Sequence, residues 1–331
     1  MRLHILGFVG IVILSLLTAP FTAAAPPTGK VARVGVLSGG SDVRVFASQV
    51  LAPFREGMRA LDYSEGRHYV IVGRTAAGAY DRLPSLVAEL IELHVDVIVT
   101  FGVPAALAAQ RATTTIPIVA ANVGDPVGAG LVTNLARPGG HLTALSHYAA
   151  DLSAKQIEVF KHTIPPLARL VVLYNPANPL HPRYWQETQA AAQALGLLLV
   201  RLEVRDPNEL VHAFDAVRLE RGDGLLVLSD GVFITQAERI AHLATTNRLP
   251  MMAQYREHVE AGGLLAYGPN LPEIVKRAAT YVDKILTGTK AGDLPVEQPM
   301  QFELVVNLKA AKALGLTIPP TLLFQATEVI Q

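Results

Sequence analysis

Residues 96–145 read DVIVTFGVPAALAAQRATTTIPIVAANVGDPVGAGLVTNLARPGGHLTAL, and this stretch twice repeats a buried strand, a short polar or glycine loop and a helix start. In the first unit a strand over 96–100 passes through Phe101-Gly102 to a helix over about 104–112. In the second, a strand over 116–121 passes through Asn122-Val123-Gly124-Asp125 to a helix expected near Pro126. Runs of Val and Ile without polar alternation are buried on both faces, as in a parallel sheet covered by helices. Proline suits a first helical turn, where its missing N–H would have no partner anyway. Both loops therefore fall at the carboxyl ends of parallel strands, beneath helix N-termini that present free N–H groups and partial positive charge. Open α/β sheets bind their ligands there.

Upstream, strands over 31–37 and 69–74 alternate with helices marked by Phe46, Val50, Phe54 and Met58 and by Leu83, Leu86, Val87, Leu90 and Leu93, with Pro53 expected to kink the first. Downstream the rhythm restarts, with strands over 169–174, 197–202, 224–228 and 250–253 between helices over about 151–163, 182–195, 208–221 and 235–246. The fold class is thus α/β, with two doubly wound parallel-sheet lobes. The tail holds a strand over 264–267, a helix over 272–286, an extended piece over 295–299, a strand over 302–306 and a helix over 308–314. These are too few for a third domain, so the chain crosses between the lobes more than once. The expected division is 31–145 plus about 264–290 for the N-terminal lobe, and 146–262 plus about 296–331 for the C-terminal lobe.

Composition narrows the function. Half of the 331 residues are hydrophobic and 17% are charged, which suits large cores rather than disorder. Formal net charge is zero and no Lys/Arg run occurs, so a nucleic-acid partner is not expected. Arg2, an apolar run over 5–19 and the small residues Ala23-Ala24-Ala25 form a signal-peptide pattern with cleavage after Ala25. The apolar run is short for a membrane span of roughly 20 residues. Removing 1–25 takes away Arg2 and no acid, leaving 27 bases against 28 acids. With no cysteine in the chain there is no disulfide, thiolate metal site or lipid-modified cysteine. Export without a lipid anchor points to the periplasm of a Gram-negative cell.

Catalytic motifs are missing: no G-x-G-x-x-G follows a strand, and there is no P-loop, no G-x-S-x-G elbow and no compact histidine ligand set. No cofactor, no metal and no enzyme activity is expected. The strand-end loops offer a binding surface instead: Ser38 and Gly39, then Thr100, Phe101 and Gly102, then Asn122 and Asp125 in the first lobe. The second offers Asn175 and Asp230, with Tyr255 and Tyr267 near later crossings. Amides and the hydroxyl at 100–102 suit a carboxylate, Asp125 or Asp230 suits an ammonium, and the aromatic rings suit an apolar side chain. Each has a plainer reading: Asp125 as a helix cap before Pro126, Asp230 as a turn cap, Asn175-Pro176 as an ordinary turn and Tyr267 as hinge packing. His141 and His147 read as surface or hinge residues.

Several segments also resemble one known family. Gly35-Val36-Leu37, Glu65-Gly66-Arg67, Asp96-Val97-Ile98, Gly124-Asp125-Pro126-Val127-Gly128, Leu135-Ala136-Arg137-Pro138-Gly139-Gly140, Tyr267-Gly268-Pro269 and Phe302-Glu303-Leu304-Val305-Val306-Asn307 are similar to the ABC transporter substrate-binding proteins that include tryptophan- and tyrosine-binding components. The resemblance implies a type I periplasmic-binding fold with three crossovers and a cleft that closes on a small solute, delivered to ABC permease subunits in the inner membrane. The solute is expected to be amino-acid-like, with an aromatic side chain a possibility. Two other readings stay open: a ligand-sensing receptor component of the same fold, or an exported two-domain α/β enzyme. The crossovers are placed near Leu145-Ser146, Gly262-Gly263 and about Val296.

Overall fold

The computed structural model describes residues 30–40, 42–147, 152–298 and 302–331. The signal pattern at 1–25 lies outside them. Twelve described strands form two sheets. In the first, β1 (Ala32–Ser38), β2 (Tyr69–Thr75), β3 (Val97–Phe101), β4 (Ile118–Val123) and β5 (Leu142–Ser146) run parallel in the order β2-β1-β3-β4-β5. The second contains β6 (Arg169–Tyr174), β7 (Leu198–Glu203), β8 (Gly224–Val227), β9 (Met251–Ala253), β10 (Leu265–Gly268), β11 (Glu303–Asn307) and β12 (Glu328–Ile330). Its order is β12-β11-β10-β9-β8-β6-β7, parallel except where β11 runs against β10. Five strands of each sheet thus share one winding, reversing direction beside β1 and beside β6.

Continuous apolar strands explain the layering. In β6, Leu170 and Val172 face one core while Val171 and Leu173 face another, and all four are fully buried. The same alternation in β3 sends Ile98 to one core and Val97 and Val99 to the opposite one. Helices cover both faces, as doubly wound sheets require.

Three expectations need correction. No helix begins at Pro126: the N–H groups of Ala129, Gly130, Leu131 and Val132 bond back to Asp125, Val127, Pro126 and Pro126, and the chain stops at these turns. Gly128 and Gly130 inside that turn disfavour propagation. The strand expected to open the return to the first lobe at 264 is β10 of the second sheet, paired with β9 through Leu265↔Met252 and Ala266↔Ala253. The return comes only after Gly268, where Asn270 caps the helix Leu271–Leu286, whose buried face packs in the first-lobe core with Phe54 and Met58. Val296 is not yet in the second lobe either, because Glu297 pairs beside β5 through Ser146 N to Glu297 O at 2.8 Å and Glu297 N to Ala144 O at 3.1 Å. In the last two cases backbone pairing to the last open strand edge moved the crossing past the glycine or proline signal.

Pro53 does not simply kink its helix. Residues Phe46–Leu51 are π-helical, with Ala52 N bonding to Ala47 O, and the helix resumes as Ala52–Ala60. An α-register would direct the Gln49 carbonyl at the N–H that Pro53 lacks, and a wider turn removes that conflict.

Candidate functional site

Both winding reversals put their strand ends against each other. The end of β1 carries Ser38-Gly39-Gly40 and the end of β3 carries Phe101-Gly102, while the end of β8 leads to Ser229-Asp230-Gly231 opposite them. The walls bound an interlobe cavity of about 60 Å³.

Of the sequence-derived candidates, Ser38, Gly39, Phe101, Gly102, Asn122 and Asp230 line this cleft. Gly102 has φ of +83°, a conformation natural to glycine, and it starts the helix Val103–Ala112 without a side-chain cap. The Gly102 N–H is bonded to Ala121 O and Pro104 has none, so Val103 brings the first open N–H of that helix to the cleft. Asn122 also has positive φ, 53°, where the β4–β5 register shifts between Ala120 and Val123. This turn aims its side chain across the lobes, and its Oδ1 accepts from the Tyr255 hydroxyl at 2.9 Å.

The other five candidates lie behind or away from the wall. Thr100 is fully buried, and its hydroxyl has no partner among the described residues. Asn175 is fully buried and donates to Asp230 at 3.3 Å. Tyr255 is buried behind Asn122 and Ser229, its hydroxyl also receiving the Gln254 Nε2–H at 2.8 Å. The Tyr267 ring stacks on Phe302 at 5.9 Å, away from the cleft. Asp125 neither caps a helix nor borders the cavity: its carboxylate pairs with Arg183 of the second lobe.

Among the described residues of the wall, Asp230 is the only Asp, Glu, Lys or Arg. It caps the turn at Gly231, accepting from Val232 N at 2.8 Å, and also accepts from Asn178 Nδ2 at 2.8 Å and from the Tyr80 hydroxyl at 3.1 and 3.2 Å. These donors compensate a buried carboxylate without a cation. Burial first, then the Asp230 charge, raises Tyr80 well above an ordinary phenol, so it stays protonated and donates. Tyr80 comes from the first lobe, so this bond closes the cleft, as does Thr235 Oγ1 to Gly40 O at 2.9 Å. Gly40 lies against Gly231 so closely that a Cβ would overlap its backbone.

Sequence reading missed Gln49, Tyr80, His147, Asn178 and Tyr184 in the wall. Gln49 enters through the π-turn, and Tyr80 from a loop beyond β2. Asn178 had a signal, a polar residue in the loop after β6. His147, expected at a surface or hinge, is 5% exposed and lies 3.5 Å from the Tyr184 hydroxyl. Burial pushes its pKa down to about 4, so the ring is neutral at pH 7, and its Nδ1 has no partner among the described residues.

The residues 48–330 match the profile of the family described as ABC transporter substrate binding protein. The chain belongs to that family. It is a substrate-binding protein of the ABC transporter class, with the type I periplasmic-binding fold. A curated relative, the tyrosine-binding protein of Clostridioides difficile (strain R20291), is 25% identical over 263 residues, covering 80% of this chain and 75% of the relative. Among solved structures, a conserved domain protein from Vibrio cholerae O1 biovar El Tor is 29% identical with a TM-score of 0.84, covering 91% of this chain and all of that one. An ABC domain from Streptococcus pneumonia in complex with L-Trp is 24% identical with a TM-score of 0.83 at the same coverage. No described helix of this binding protein is long and apolar enough to cross a membrane.

Proposed function

We propose that this binding protein captures an aromatic amino acid between its lobes and presents it to ABC permease subunits from the periplasm, after export directed by residues 1–25. The cleft's charge distribution carries the reading. One wall offers the open Val103 N–H at the positive start of the helix Val103–Ala112, and the opposite wall offers a single buried carboxylate, Asp230. A zwitterion satisfies both, its carboxylate toward Gly102 and its ammonium toward Asp230. The Tyr80 proton is shared between both Asp230 oxygens, so a cationic donor can displace it. Among the described residues no Lys or Arg lines the wall to balance a second acidic group on the ligand. Phe101, Tyr184, Val50 and Leu271 supply an apolar enclosure for the side chain. The names of the two relatives, one tyrosine-binding and one in complex with L-Trp, support the aromatic choice.

The test is a thermal-shift and calorimetric screen of residues 26–331 against L-tyrosine, L-tryptophan, aliphatic amino acids and dicarboxylates. A ligand at 100 times its Kd stabilises by about 2.7 kcal/mol, several degrees in melting temperature. The expected result is a shift with an aromatic amino acid, none with dicarboxylates, and recovery of the ligand unchanged. Stabilisation by none of the amino acids, or their conversion, overturns the proposal.

A further inference from the structure

We infer that Asp125 and Arg183 form a latch across the lobes, outside the ligand cavity, that sets how much of the protein is closed. The inference rests on the proposed capture by lobe closure. The loop after β4 and the start of the helix His181–Ala194 belong to opposite lobes and meet as a close seam. Asp125 pairs with Arg183, and the Arg183 Nε–H is held by Glu187 Oε1 at 3.0 Å one helical turn on, which presents the guanidinium toward the first lobe. The first-lobe side of the seam is also anchored: Ser146 Oγ donates to Gly124 O at 2.6 Å, and His147 N donates to Val123 O at 2.8 Å.

Two glycines make the approach possible. A Cβ at Gly124 would overlap the Tyr184 hydroxyl and Leu180, and one at Gly128 would overlap the Asp125 carboxylate and the Arg183 guanidinium. This accounts for Gly124-Asp125-Pro126-Val127-Gly128 better than a helix start does. The backbone turn holds the carboxylate, and the glycines leave the opposite lobe room to reach it. Asp125 is 11% exposed as a side chain and Arg183 42%, and neither lines the cleft.

A partly exposed ion pair adds little to folding. Here, however, its partners sit on different lobes, so its free energy falls on the open–closed equilibrium rather than on either lobe. A ligand that binds only the closed form gains or loses apparent affinity in proportion to the closed fraction. Asp125 and Arg183 are thus positioning residues, acting on ligand affinity without touching the ligand.

The absence of cysteine allows a clean measurement. Spin labels on Ala88→Cys and Asp215→Cys, both exposed on helices of opposite lobes (Leu83–Glu92 and Leu210–Glu220), report interlobe distance. The unsubstituted seam, Asp125→Asn, Arg183→Gln and the double variant are compared by pulsed electron-electron resonance without ligand, at low salt and at about 0.5 M NaCl, where charges are screened within a few ångströms. The expected result is a closed population at low salt that falls about fivefold in each single variant, falls no further in the double variant, and responds to salt only when both charges are present. Equal closed fractions in all four proteins, zero included, overturn the latch. A second arm titrates L-tryptophan: Kd should weaken about fivefold in the variants, chiefly through faster dissociation. If neither L-tryptophan nor L-tyrosine, titrated alike, binds while the ligand-free populations respond as expected, the ligand assignment fails and the latch stands. If either binds all four proteins equally, the latch fails and the ligand assignment stands.

Discussion

Asp230 shows how one residue can serve both architecture and binding. Its carboxylate holds Asn175, Asn178 and the N-terminus of a short helix, and it reaches Tyr80 in the other lobe. Asp230→Asn places an NH₂ group among donors and removes the one formal charge among the described residues of the cleft wall. It should cost about 1–3 kcal/mol of stability and weaken an amino-acid ligand by at least about tenfold. Denaturant unfolding and ligand titration check the two parts, and unchanged affinity would remove the ammonium from this position. Tyr255→Phe is a milder case, because the ring stays in place while Asn122 Oδ1 and Gln254 Nε2 lose a partner. Its expected cost is about 1–2 kcal/mol, read by urea unfolding. Tyr255 was legible in the sequence as a polar aromatic near a crossover, but its role as a support for Asn122 was not, since 133 positions separate the two.

At the scale of elements, the helix Ala52–Ala60 and the helix Leu271–Leu286 define one face of the first lobe. Their close approach depends on Gly57, where an added Cβ would stand 2.5 Å from the Lys276 carbonyl oxygen and 2.9 Å from Ala279 Cβ. Gly57→Val forces the helices apart and should destabilise by about 1–3 kcal/mol through overpacking. A chemical-denaturation midpoint that does not move would show that the helices separate freely. The apolar spacing of Phe54 and Met58 predicted a helix, and one formed. The π-turn before Pro53 was hidden, because a spacing of four cannot report a change in hydrogen-bond register. The helix expected after Pro126 failed for a related reason. An Asp-Pro start is a local signal, whereas the Asp125 side chain was taken by Arg183, 58 positions away.

For the molecule as a whole, buried titratable groups shape the response to pH. Burial holds His147 and His258 down to about 4 and also lowers His181. The unfolded chain, whose histidines titrate near 6.5, therefore takes up protons that the folded chain refuses as pH falls from 6.5 toward 4. Glu257 works the other way: burial raises it from 4.5 to about 7, so the folded chain keeps a proton that the unfolded chain releases between those values. Below 6.5 the histidines outnumber the glutamate, and stability should rise with pH by about 1.4 kcal/mol per unit for each net proton. Above 6.5 the unfolded histidines lose their protons while Glu257 releases its own, so the slope should fade toward zero by about pH 7.5. Unfolding free energies at intervals from pH 5 to 7.5 check this, with His258→Gln expected to make the acid-side slope shallower. A flat profile below pH 6.5 would mean that these imidazoles are hydrated in solution.

The sequence by itself determined the two parallel-sheet units, the loops at their strand ends and six of the described residues that face the cleft. Buried runs and turn residues are local patterns, and a doubly wound sheet turns them directly into position. Only the tertiary structure decided which sheet took Leu265–Gly268, that Asp125 meets Arg183, and that Tyr80 closes on Asp230 from 150 positions away. Those outcomes depend on which strand edge lies open and which lobe surface lies opposite. Hydrophobic periodicity records that a side chain is buried, but not which distant surface buries it.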